Sequence, residues 1–279
     1  MLNLQLRPDE KAALKLRALY DAQGYSFYRM SRFEEYDFYA GKKDFLTSPN
    51  ILTFTDINGK LMALRPDVTL SIIKHMKFVD DAPQKFYYDE KVYRVPKNAN
   101  TFREISQAGI ECAGALKNDD LREVLELALL SLKTIADGRN FILDVANAAM
   151  ISELISEYEN RSVILKCIAE KNIHELKNLH ANENLIALMS SPRLDSKTVA
   201  IIDSLKDYHE HIRIDFSVVN NLNYYNGIVF RGFVEGIPES ILSGGQYDNL
   251  MKLMGHKSCK AIGFAVYIDL IERQVGRND

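Results

Sequence analysis

The sequence predicts an α+β fold: an antiparallel sheet flanked by helices and interrupted by a helical insertion. Three observations predict it. Several β-like runs occur without the regular strand–helix alternation that builds a parallel sheet. Residues 119–136 carry one long amphipathic helix pattern, with Leu121, Val124, Leu125, Ala128 and Leu132 recurring on one face. Residues 147–207 contain no β-rich run but hold several short helical patterns.

In chain order, residues 8–23 predict a helix. Asp9 is a candidate cap, and Leu14, Leu16, Leu19 and Tyr20 are set among Lys and Arg. Gly24-Tyr25 ends it, and 26–33 reads as a strand. Residues 51–56 and 60–64 flank Ile57-Asn58-Gly59, a hairpin signal. Pro66 then leads into a helix over 68–77. Residues 84–95 and 102–113 are β-like and are joined by the loop that starts at Pro96. The 119–136 helix takes its cap from Asn118 or Asp119. Residues 141–145 form a short strand. Within 147–207, the segments 162–169 and 196–205 are helical, and Ser191-Pro192 breaks the pattern. Strands resume at 212–219, 225–234 and 241–243. A last helix is expected over 265–273. The domain reading is a core of 1–146 and 208–279, with 147–207 inserted.

Composition is that of a globular chain: 279 residues, 47% hydrophobic and 26% charged. A net charge of −3 gives no support to a nucleic-acid role, which needs concentrated Lys and Arg. Three widely spaced cysteines (Cys112, Cys167, Cys259) fit a reducing compartment and offer no zinc spacing. The six histidines show no HExxH pattern, so no metal site is expected. No GxSxG elbow and no phosphate-loop spacing occur. No basic segment followed by an apolar run opens the chain, and no apolar stretch suits a membrane span. A cytoplasmic protein is expected.

Four segments could carry chemistry. On a strand, residues four apart share a face, so Arg103, Gln107 and Glu111 would present a cation, an amide and a carboxylate together. That suits a zwitterionic ligand, but a solvated strand face explains the same pattern. Asp67 and Thr69 lie at a helix start, where capping accounts for both; a ligand ammonium would use the same groups. The run Asn220 to Gly227 reads as a polar turn beside Tyr224 and Tyr225. Gly244-Gly245-Gln246-Tyr247-Asp248 suggests a close backbone approach or a tight turn.

Together these segments resemble the histidyl-tRNA synthetase catalytic core, from about Tyr20 to Arg273. Residues 85–114 look like class II motif 2. Residues 219–230 look like the histidyl-specific segment, and 261–271 look like motif 3. The resemblance implies a class II aminoacyl-tRNA synthetase-like sheet with a histidine pocket. Asp67, Thr69 and Gln107 would hold the α-ammonium, and Arg94 would face the carboxylate. Glu111 and Tyr225 would read the imidazole, with Tyr247 closing the pocket.

The departures are as specific. Asn220 and Leu270 stand where the synthetase carries arginines, Tyr267 replaces a glycine, and Pro96 replaces the usual motif 2 Glu. Adenylation brings a carboxylate to a polyanion and needs cations. The chain also stops soon after Ile271, leaving no room for an anticodon-reading domain. This combination resembles the regulatory subunit of ATP phosphoribosyltransferase. That family implies no catalytic residues, no cofactor and no tRNA. It implies a short-form catalytic subunit as partner, a hetero-octamer, and L-histidine as effector. Two rivals remain: a truncated amino-acid:AMP ligase, and a scaffold that has lost its ligand.

Overall fold

The computed structural model describes residues 6–46, 50–76, 82–96, 100–219 and 222–271. The chain opens with α1 (Pro8–Ala22), entered through a proline, whose missing N–H has no partner there in any case. Its N-cap is Arg7; Asp9 sits in the first turn and complements the helix dipole instead. The strand expected over 26–33 divides into β1 (Ser26–Phe27) and β2 (Phe33–Glu35), because the chain leaves one sheet for another between them. Next come α2 (Tyr36–Ala40), β3 (Thr53–Thr55) and β4 (Leu61–Leu64). The Asn58-Gly59 hairpin forms. Gly59 takes φ +79°, and the Asp56 carboxylate accepts from the N–H groups of Asn58 and Lys60, each at 2.8 Å.

The segments α3 (Val68–His75), β5 (Gln84–Arg94), β6 (Arg103–Gly114), α4 (Asn118–Ala136) and β7 (Phe141–Asn147) stand where expected. The cap of α4 is Lys117, just before the expected position. Five helices follow: α5 (Ala148–Leu154), α6 (Arg161–Ala169), α7 (Ile173–Asn178), α8 (Glu183–Ser190) and α9 (Ser196–Asp203). They close over an apolar cluster that includes Ile151, Ile164, Ile168, Leu176 and Leu185. Two polar ties join them to the sheet. Asn147 donates to Asp195 at 2.7 Å, and Lys171 pairs with Asp215 at 2.5 Å.

The strand β8 (Ile212–Ile214) is shorter than the expected 212–219. Asp215 accepts from the Ser217 N–H and turns the chain into a 3₁₀ segment. β9 (Ile228–Val234) begins after Tyr225; just before it, the Asn226 N–H donates to the Gln246 carbonyl and the Gly227 carbonyl accepts from the Ala148 N–H. β10 (Leu242–Gln246) runs through Gly244-Gly245, which are therefore strand residues and not a turn. α10 (Asp248–Leu253) and β11 (Lys260–Tyr267) complete the chain. The helix expected over 265–273 is a correction. Residues 265–267 belong to β11, and helix begins only at Asp269. A central strand is apolar on both faces, so its run cannot be told from a buried helix by period alone.

The main sheet has the order β1-β5-β6-β11-β10-β9-β7-β8. Its inner pairings are antiparallel; only β1 on β5 and β8 on β7, at the two edges, are parallel. A small sheet, β2-β4-β3, stands apart. One face of the main sheet is sealed by α1 and α4 through Leu16, Tyr20, Leu125, Leu132, Phe230 and Phe264. Each large buried side chain contributes roughly 1.5–3 kcal/mol. With that face closed, polar residues on the opposite face have to be placed deliberately. No helix among the described residues is long and apolar enough to cross a membrane.

Candidate functional site

The open face of the main sheet holds a cavity of about 730 Å³. Its floor follows from strand register. On β6, Gln107 and Glu111 point to this face, and Glu111 stands opposite Gly263, which stands opposite Gly245. The small residues are required there. A Cβ at Gly263 would lie 1.9 Å from a Glu111 carboxylate oxygen, and one at Gly245 would lie 2.8 Å from the Tyr225 ring. One at Gly109 would meet the Phe264 carbonyl at 2.1 Å and the Tyr88 hydroxyl at 2.5 Å. Side chains that belong to the site thus lie flat over glycines.

All seven residues named from the sequence line this cavity: Asp67, Thr69, Arg94, Gln107, Glu111, Tyr225 and Tyr247. Arg103 does not. It shares the parity of Gln107 and Glu111 but sits at the exposed end of β6, opposite Arg94. Asn220 lies outside the described residues. Leu270 and Tyr267, two of the departures, line the cavity.

Glu111 is the best-held group. It is 2% exposed, and one oxygen accepts from the Thr69 hydroxyl at 2.6 Å. The other accepts from the Tyr247 hydroxyl. Burial pushes its pKa up to about 8, against the two hydroxyl bonds, which lower it; Asp67 raises it further. Asp67 caps α3 by accepting the Leu70 N–H at 2.9 Å. Burial raises its pKa too, opposed by that bond and by Arg94. The Thr69 N–H also bonds this carboxylate, which still lines the cavity with acceptor capacity to spare. Thr69 donates its only proton to Glu111, so its lone pairs are what a ligand cation would meet. Capping and binding are therefore compatible at both positions.

Arg94 and Gln107 differ from the rest. They are 6% and 4% exposed, and neither side chain makes a hydrogen bond or ion pair among the described residues. Both face the cavity, where their donors are open to a ligand, and the Arg94 cation also acts on the nearby Asp67 carboxylate. Above them stand Tyr224 and Tyr225, with ring centroids 4.7 Å apart and edge to face; Tyr224 also meets Tyr247 at 5.8 Å.

A buried clamp fixes this geometry. Arg65, fully buried, donates to the Ser31 carbonyl at 2.6 Å, to Glu90 at 2.7 Å and to the Lys91 carbonyl at 2.8 Å. It ties the segment carrying Asp67 and Thr69 to β5, which carries Arg94. Sequence reading missed Tyr88, Ser243 and Arg231 as cavity residues. For Arg231 a signal existed, a single charge inside the otherwise apolar strand β9.

The arrangement can hold a zwitterion: acidic and hydroxyl acceptors for an ammonium, a cation for a carboxylate, and a buried carboxyl between phenols for a polar side chain. Among the described residues no group of histidine, cysteine and acidic side chains could hold a metal.

Comparison with known proteins bears on the rest. The family model described as histidyl-tRNA synthetase matches residues 1–194 and 187–271. An ATP phosphoribosyltransferase regulatory subunit of Thermoanaerobacter pseudethanolicus is 32% identical over 257 residues, covering 79% of this chain and 67% of that protein. The protein of the same name from Caldanaerobacter subterraneus is 30% identical over 254 residues, covering 78% and 66%. The chain thus spans about two thirds of the length of these curated relatives. Two solved structures share the fold. One, from Bacillus halodurans C, is described as an ATP phosphoribosyltransferase regulatory subunit/histidyl-tRNA synthetase. It has a TM-score of 0.77 at 21% identity, over 96% of this chain and 79% of that one. The other is from the ATP phosphoribosyl transferase (HisG:HisZ) complex of Thermotoga maritima. It has a TM-score of 0.72 at 18% identity, over 93% and 97%.

Proposed function

The chain belongs to the histidyl-tRNA synthetase family, in the branch of ATP phosphoribosyltransferase regulatory subunits, and from that premise we propose that it is a non-catalytic, histidine-responsive subunit of such an enzyme. Its partner is a short-form catalytic chain, in a hetero-octamer located in the cytoplasm. L-histidine is the effector. Residues 147–207 act as an inserted helical unit on the synthetase-like core.

The observation that carries this reading is that Arg94 and Gln107, neither hydrogen-bonded nor ion-paired among the described residues, face one cavity with Glu111. Histidine satisfies all three. Its carboxylate meets Arg94, its ammonium meets Gln107, Asp67 and Thr69, and its imidazole lies between Glu111 and Tyr225 beneath Tyr247. A ligand lacking the imidazole N–H leaves Glu111 without that partner, which sets selectivity. The apolar Leu270 at the same cavity supplies no charge for adenylation.

Regulation follows from linkage. Histidine shifts the complex toward the arrangement that it binds more tightly, by no more than its difference in affinity between the two. The test is the activity of a short-form ATP phosphoribosyltransferase with and without this chain, then with histidine. Activation followed by histidine-dependent inhibition is expected. No effect on a cognate partner, together with histidine-dependent ATP–pyrophosphate exchange by this chain alone, would overturn the reading in favour of a ligase.

A further inference from the structure

We propose that the cavity contains a second subsite, centred on Arg231, that binds a small anion or the anionic group of a larger ligand. It lies three strands across the sheet from Glu111.

Arg231 stands in the middle of β9 with its side chain toward the cavity. Its cross-strand neighbours are Ser243 on β10 and Asp144 on β7. Asp144 is the obvious counterion, yet it is taken from the other side. Arg213 on β8, its own cross-strand neighbour, forks onto both carboxylate oxygens at 2.7 and 2.8 Å. That bidentate geometry is the strong form of the pair. Arg231 is left half-buried, with no hydrogen bond or ion pair among the described residues. A guanidinium that makes no bond of its own at the cavity wall keeps its donors free for an anion.

Position separates this subsite from the histidine pocket. In register, Arg231 falls in the row Gly109, Ala265, Ser243, Arg231, so it sits three strands from β6. At the usual strand spacing that is about 14 Å across the sheet. Arg231 and the β6 pair therefore approach the cavity from strands on different sides of it. Hydroxyls are at hand near Arg231: Ser240 and Ser243 line the same cavity. Glu239 and Asp269 line it too, which disfavours a highly charged polyanion and favours a small anion of low charge. Ser243 also bonds the Tyr225 hydroxyl, so the two subsites share a wall.

The experiment is calorimetric titration of the whole chain with inorganic phosphate and, separately, with malonate, for wild type, Arg231→Gln and Arg231→Lys. Histidine is titrated into each protein in a parallel arm. At least one anion should bind wild type, weaken about tenfold or more in Arg231→Gln, and fall between the two in Arg231→Lys. Which anion binds decides between phosphate and carboxylate recognition. Histidine affinity should stay within about twofold in both variants, a change of roughly 0.4 kcal/mol, which also shows that they are folded. Equal anion binding by wild type and Arg231→Gln, or no binding of either anion to wild type, overturns the proposal. Loss of histidine binding in wild type would instead refute the histidine pocket and leave the anion result to stand alone.

Discussion

Replacing Glu111 with Gln should make the protein more stable at neutral and alkaline pH, by an amount that depends on pH in a defined way. Burial raises the Glu111 pKa from 4.5 to about 8 in the folded protein. The folded state therefore favours the protonated acid. The associated stability is complete below pH 4.5, declines as pH rises through the window to about 8, and is gone above it. The shift of about 3.5 units, at about 1.4 kcal/mol each, sets a ceiling of about 5 kcal/mol. Gln resembles the protonated acid in shape and stays neutral. Its amide can face the Thr69 or Tyr247 hydroxyl, because either can accept as well as donate. Urea unfolding of both proteins from pH 4 to 9 is the assay, with the pH range chosen on the model-peptide and folded values. The stability of the variant relative to wild type should climb by about 1.4 kcal/mol per pH unit inside the window and flatten on both sides. A difference that does not change with pH would refute the reasoning, because it would mean that Glu111 is ionised throughout. Above about pH 8, where wild-type Glu111 is ionised, the same variant should bind histidine about tenfold or more weakly, having lost the charge-assisted bond.

Arg94→Gln should weaken histidine binding at least about tenfold by calorimetry while changing the urea midpoint little, since no hydrogen bond or ion pair of Arg94 among the described residues is lost and only its field on Asp67 goes. Asp67→Asn keeps a capping oxygen and should cost less than about 0.5 kcal/mol in stability, yet it should reduce histidine affinity; equal affinity would assign Asp67 to capping alone. Arg65→Met should destabilise by about 3 kcal/mol or more, since it strands Glu90 and two carbonyls; denaturant unfolding reads this directly. Gly263→Ala should abolish histidine binding and lower stability by about 1–3 kcal/mol, measured by titration and thermal melting.

Much of the fold was legible because its signals were local. The α4 stripe, the Asn58-Gly59 turn and the proline at the start of α1 each act within a few residues. The errors fell where distant structure decides. β11 reads equally as helix, because only its place between β6 and β10 makes it a strand. Residues 26–33 look continuous, but the chain changes sheets there under the grip of Arg65. In the site, Gln107 and Glu111 were readable from strand parity. Arg103 was not, since parity gives the face and says nothing of how far along the strand the cavity reaches. Arg231 is half-buried beside an acidic neighbour, and only the structure shows that Arg213 has claimed that neighbour.

The glycines under the cavity have a consequence for how such a pocket changes over generations. Gly263, Gly245 and Gly109 are each occupied from above by Glu111, Tyr225 and Tyr88. Floor and furniture therefore cannot drift independently. A larger residue in the floor is tolerated only after the side chain over it has shrunk, and the intermediate with one change is the damaged one. Arg94 and Gln107 have no such lock, since no side chain among the described residues is hydrogen-bonded to them. A new ligand can be accommodated through those two positions in single steps, while the glycine-backed end stays fixed.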